Sequence, residues 1–163
     1  MLKSIEGNFN DPDVNKLLIK HFIELRSVSP KGSAHVLDIA GLQNTSIKFW
    51  SLWENDGLFG VGALKFLDKE HGEFKSIRIN NIFRNKGNGL KMLNYLINQS
   101  KELNIKKLSL ETGAGDFFIP ARKLFIKCGF KACEPFSHYE KDVNSVYMSR
   151  LISNDWEFKY IYI

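Results

Sequence analysis

A chain of 163 residues with 44% hydrophobic and 25% charged residues is long enough to bury a substantial core and fits one globular domain. No apolar run approaches the roughly 20 residues of a membrane-spanning helix, and the opening "MLKSIEGNFNDPD" lacks the apolar region of a secretory signal, so a cytoplasmic protein with no membrane partner is expected. The net charge of +5 suits an anionic partner, but the basic residues are scattered from Lys3 to Lys159; nucleic-acid binding has no support, and a polyphosphate cofactor would satisfy the same excess.

In chain order, "LKSIEGNF" reads as a short first strand. "NDPDVNKLLIKHFIELRSVSP" reads as a helix, capped by Asp11 and started by Pro12, with Val14, Leu17, Leu18, His21, Phe22 and Leu25 at helical spacing. "AHVLDIAGLQ" is ambiguous, with a short helix the first choice. "SIKFWSLW", "LFGVGALKFL" and "EFKSIRINNI", separated by "ENDG" and "DKEHG", form an antiparallel meander. Leu90, Leu93, Ile97 and Leu103 mark an amphipathic helix, "KKLSLET" a strand and "GAGDF" a loop. "PARKLFIKCGF" is a helix between Pro120 and Gly129, and "FKACEPF" and "SVYMSRLI" are closing strands. The expected order is β-α-(α)-β-β-β-α-β-α-β-β, a mixed α/β sheet with an antiparallel front half.

Between the third strand of the meander and the next helix lies "RNKGNG", residues 84–89. Consecutive backbone N–H groups in a glycine-rich turn that opens a helix form a donor site for anions, and the helix dipole adds favourable potential. Gly87 and Gly89 permit close approach or positive φ, while Arg84 and Lys86 add charge at the mouth. A P-loop is excluded because Leu90-Lys91 follows Gly89 where Lys-Ser/Thr is required. A dinucleotide fingerprint fails because Met92 occupies its third glycine place, although Glu111 falls about 20 residues on, and too little chain follows for the full sheet.

Strand, R-x-x-G-x-G and helix together resemble the acetyl-coenzyme A pyrophosphate motif of the GCN5-related N-acetyltransferases. "PARKLFIKCGF" is similar to that family's A-x-x-L-Y-x-x-x-G-F segment. "GEFKSIRI", "LSLETG", "CEPFSHY" and "NSVYM" resemble one bacterial subgroup, over about residues 1–152. The resemblance implies the family's acyl-CoA N-acyltransferase fold, with a central, mostly antiparallel sheet flanked by helices. It implies acetyl-coenzyme A as co-substrate, held by Arg84, Asn85, Lys86, Gly87, Asn88, Gly89 and Leu90. Backbone donors near Ile77, Arg78 and Ile79 would grip the pantetheine arm and the thioester oxygen. Two further cofactor positions depart from the family pattern: Phe118 stands where asparagine is frequent, and Phe125 where tyrosine supplies a general acid.

Acetyl transfer to an amine needs a base, a polarised carbonyl and a stabilised thiolate. Glu73 is the first candidate for the base; the bland alternative is a solvated edge carboxylate or a simple pair with Lys75. Strand alternation places Glu73 and Lys75 on one face and Ser76 and Arg78 towards the other, unless a bulge intervenes. Because a phenyl ring cannot donate a proton, Tyr139 and then His138 are candidates for the acid. Lys75, Arg78 and His138 are candidates for holding the acceptor, a small amine of amino-acid-like character. The competing reading is a coenzyme A-binding sensor that has lost catalysis.

"HGE" at 71–73 spells H-x-E, but the P-C-x-x-C partner of a zinc deaminase is missing, and no metal site is expected. Cys128 and Cys133 are expected to be reduced and non-nucleophilic, the first packed beneath a helix and the second in a strand. Residues 153–163, "NDWEFKYIYI" after its leading serine, alternate aromatic and other side chains, as an edge cover or a homodimer contact would.

Overall fold

A computed structural model describes residues 1–152; the aromatic strand expected at 153–163 lies outside them. Strands β1 (Lys3–Glu6), β2 (Ile47–Glu54), β3 (Gly57–Phe66), β4 (His71–Ile79), β5 (Lys107–Gly113), β6 (Lys131–Ala132) and β7 (Ser145–Leu151) form one sheet. Helices α1 (Pro12–Val28), α2 (Ile39–Leu42), α3 (Asn88–Glu102) and α4 (Ile119–Lys127) flank it. The sheet order is β1-β2-β3-β4-β5-β7-β6, with β4 and β5 parallel and every other pair antiparallel. Element order and mixed sheet agree with the expectation. No helix among the described residues is long and apolar enough to cross a membrane.

Local chemistry explains the boundaries. Asp11 Oδ1 accepts from the amides of Asp13 (2.9 Å) and Val14 (3.2 Å), and Pro12 occupies the first turn of α1 where its missing N–H costs nothing. β3 is apolar at nearly every position because helices cover both of its faces. Towards α3 and α4 lie Trp50, Leu52, Phe59, Leu93, Leu96, Leu108 and Phe130; towards α1 and α2 lie Val14, Leu18, Phe49, Leu58, Val61 and Ala63.

Two expectations are corrected at the closing edge. "FKACEPF" contributes only Lys131–Ala132 as strand, so Cys133 falls just beyond it, although its amide still reaches the Tyr147 carbonyl at 2.9 Å. Pro135 lacks an N–H and cannot prolong the ladder. The "GAGDF" loop carries a 3-10 turn at Asp116–Phe118 that leads into α4.

Two irregularities of β4 create the site. Its register against β3 slips between Val61↔Arg78 and Ala63↔Lys75, so one extra residue stands on β4, and Ser76 takes φ 51° there. Its parallel pairing with β5 runs from His71↔Lys107 to Phe74↔Leu110 and stops. From Lys75 onward β4 has no partner on that side, and an opening separates the two strands.

Candidate active site

Residues paired across a ladder share a face, which locates the side chains of β4. Lys75 stands opposite Ala63, and Arg78 opposite Val61, both in the core beneath α1. The bulge therefore brings Arg78 to the same face as Glu73 and Lys75, where strict alternation puts it on the other. The added residue at Ser76 is the physical reason.

Glu73 is only 1% exposed, which corrects the alternative of a solvated edge carboxylate. Its Oε1 accepts from Lys75 Nζ at 3.1 Å and from the Tyr139 hydroxyl at 2.5 Å; Lys75 Nζ also donates to that hydroxyl at 2.9 Å. Glu73 Oε2 is buried without a partner. Burial, followed by the Glu73 carboxylate, pushes the Tyr139 hydroxyl well above the ordinary phenol range. Two residues named separately from the sequence thus meet in one hydrogen-bonded cluster.

The other substrate-side expectations separate. Arg78 is 8% exposed and donates through Nη2 to Glu24 of α1 at 2.7 Å, an ion pair between helix and strand. His138 is exposed and stacks on Tyr139 with ring centroids 4.8 Å apart. Loops from either end of the chain meet over Tyr139: Ser33 Oγ donates to Asp142 Oδ2 at 2.7 Å, and the His35 ring meets Tyr139 edge-on at 5.2 Å. A cavity of about 560 Å³ lies between them, lined by Gly32, His35, His138, Tyr139, Glu140 and Asp142. A larger hollow of about 980 Å³ runs along α1 past Ile19 and Ile23. Neither hollow is lined by a polar side chain of β4; the smaller one has Tyr139, bonded to Glu73, in its wall, so the chemistry, not the volume, locates the site.

At the glycine segment, Asn85, Lys86 and Gly87 all have positive φ (71°, 58° and 76°), a tight left-handed turn that delivers the chain into α3. Gly87 caps the helix with no side-chain acceptor for its first amides. Only Asn88 N–H, to Asn85 at 3.1 Å, and Lys91 N–H, to Gly87 at 3.1 Å, find carbonyls, which leaves the amides of Gly89 and Leu90 free for an anion. Asn88 Nδ2 ties the turn to the Phe83 carbonyl at 2.8 Å, and Arg84 and Lys86 are exposed at its mouth. Gly89 has a packing reason of its own, since a Cβ there would lie 2.9 Å from Leu124 of α4.

Ile77 and Ile79 pack against the larger core, along the run of β4 that is unpaired on its β5 side. Phe118 lies flat over Gly113, whose added Cβ would meet the ring at 2.1 Å, and Phe125 is buried with its ring 5.8 Å from Phe130. Neither offers a polar atom. Burial pushes the Cys128 thiol up, in keeping with a packed side chain. Among the described residues no group of three or more His, Cys, Asp or Glu side chains is arranged to hold a metal ion.

Sequence reasoning missed Glu111 as a site residue. It lies two residues beyond Ser109, the register partner of Glu73, and so shares its face; its Oε1 accepts from Ser145 Oγ at 2.9 Å. The alternation of "LSLET" is the signal that could have found it.

The chain matches the family model described as "Acetyltransferase (GNAT) family" over residues 14–130. It is 42% identical over 137 residues to the uncharacterized N-acetyltransferase YsnE of Bacillus subtilis (strain 168), covering 84% of this chain and 91% of that protein. It is 38% identical over 138 residues to the uncharacterized N-acetyltransferase YedL of Escherichia coli (strain K12), covering 85% and 87%. Among solved structures, a Bacillus subtilis acetyltransferase in complex with CoA superposes with a TM-score of 0.68 at 18% identity, covering 94% of this chain and 100% of that one.

Proposed function

The chain belongs to the GNAT family of acetyltransferases and is an N-acetyltransferase, and we propose that it moves the acetyl group of acetyl-coenzyme A to the primary amine of a small molecule. The observation that carries this reading is the buried Glu73–Lys75–Tyr139 cluster beside the place where β4 and β5 part. The hollow of about 560 Å³ between the two latched loops, with Tyr139 in its wall, is the size of a small-ligand site and supports a small acceptor over a protein chain.

The free amides at the start of α3, with Arg84 and Lys86 beside them, would hold the pyrophosphate, and the run from Lys75 to Ile79, unpaired on its β5 side, would hold the pantetheine arm. Acetyl-coenzyme A brings an activated acyl group. Glu73 removes the ammonium proton of the acceptor through Oε2, its unpartnered oxygen, directly or through one water. The freed nitrogen attacks the acetyl carbon, its second proton passes to solvent as the C–S bond breaks, and the thiolate takes its proton from solvent. A thiol with a pKa of about 8.5 leaves without an acid, so an apolar Phe125 is no obstacle. Tyr139, held between Glu73 and Lys75, acts in this reading as a positioning group that fixes the base.

The test is thiol release from acetyl-coenzyme A against a panel of primary amines. Sustained turnover that falls by about 10²-fold or more in Glu73→Gln supports the assignment. Unchanged turnover in that variant sinks Glu73 as the base, and turnover with peptides but with no small amine sinks the acceptor class.

A further inference from the structure

Two carboxylates on the α1 face of the sheet have an oxygen to spare, Glu73 in the interior and Glu111 half-buried at the opening. Glu73 Oε2 is buried with no donor, and Glu111 commits one oxygen to Ser145 while no hydrogen bond reaches the other. Lys75 Nζ, the cation nearest Glu73, is already held by Glu73 and Tyr139. Its charge cancels that of Glu73, so Glu111 leaves this floor with a carboxylate in excess. His35, whose ring touches Tyr139, lies near enough to favour the charged form of Glu111 but makes no hydrogen bond to it.

The pairing of β4 with β5 ends at Leu110, so Glu111 is the first residue of β5 beyond the junction, at the lip of the opening. Its register partner on β7 is Tyr147, whose ring lies 5.6 Å from that of Tyr139. Aromatic faces beside a carboxylate suit an ammonium ion. Burial, and to a lesser degree Glu73, holds the Glu111 carboxyl above the ordinary carboxylate range, a cost that a bound cation would relieve.

Resting on the small-amine reading, we propose that Glu111 anchors a second, positively charged nitrogen of the acceptor, which makes the substrate class a short diamine. The amine to be acetylated lies at Glu73, and the distal ammonium lies at Glu111 beneath Tyr139 and Tyr147. Glu73 and Glu111 are offset by two residues on neighbouring parallel strands, which puts their Cα atoms about 8 Å or more apart where the strands part, and a spacer of roughly four or more carbons spans that distance.

The experiment compares kcat/KM for 1,4-diaminobutane, butylamine and 4-aminobutyrate with saturating acetyl-coenzyme A. The diamine should exceed butylamine by about tenfold or more, and Glu111→Gln should bring that ratio close to one, chiefly through KM. A general structural defect lowers both rates and leaves their ratio alone. Should Glu111→Gln fail to fold, Ser145→Ala, which removes the hydroxyl that orients Glu111, should lower the same ratio. A wild-type ratio near one, a preference for 4-aminobutyrate, or an unchanged ratio in the folded variant would overturn the proposal. Turnover of none of the amines by protein that binds acetyl-coenzyme A in calorimetry would overturn the small-amine reading beneath it.

Discussion

Glu73 combines two features that seldom coexist in a merely structural carboxylate: one oxygen is saturated by a cation and a phenol, and the other is buried and bare. An acceptor left without a donor in a protein interior costs about 1–3 kcal/mol, and a substrate N–H would offset that cost. Tyr139 offers a way to separate base from acid. If its hydroxyl only positions Glu73, Tyr139→Phe should lower kcat by about tenfold and keep the basic limb of the pH–rate profile. A basic limb that disappears in this variant identifies Tyr139 as the proton donor instead. The raised hydroxyl and its short bond to Glu73 favour the first outcome.

At the level of elements, the turn before α3 divides its work between backbone and side chains. Lys86→Ala should weaken acetyl-coenzyme A binding about tenfold at low salt and much less at 1 M salt, because its exposed ammonium acts through a screened field. Gly89→Ala should instead leave thermal stability within about 1 kcal/mol of the parent, since the Leu124 methyl it meets ends a half-buried side chain that can turn aside and alanine favours a helix over glycine; a larger loss would show that Leu124 is fixed in place. How far the elements were legible follows the same division. Asp11-Pro12, the "ENDG" turn and Gly129 punctuate the chain with local chemistry, so the order of helices and strands could be read directly. The bulge could not, because a serine at φ 51° carries no composition signal, and with it went the face of Arg78. The meeting of Tyr139 with Glu73 and the pairing of Glu24 with Arg78 join residues 66 and 54 positions apart, and no periodicity within one element reports such a contact.

Across the whole molecule, the ion pair between α1 and β4 encloses a histidine whose titration ties stability to pH. His21 is buried and its Nδ1 has no partner. Burial, then the nearby Arg78 charge, lowers its pKa from 6.5 to about 4, against a smaller opposing effect of Glu24. The folded pKa lies below the unfolded one, so the unfolded chain takes up the proton first as the solution is acidified. Stability is therefore complete above about pH 6.5, falls progressively towards pH 4, and the full loss is about 3 kcal/mol. Glu111, with its carboxyl held up, works in the opposite direction upward from the ordinary carboxylate value, within the same range, and is common to parent and variant. Urea unfolding at pH 7 and pH 4.5 of the parent and of His21→Phe isolates the effect, since the variant keeps every other titrating group. The variant should lose markedly less stability between the two pH values than the parent. Equal losses would show that His21 is protonated in the folded chain, with Glu24 rather than burial governing its charge.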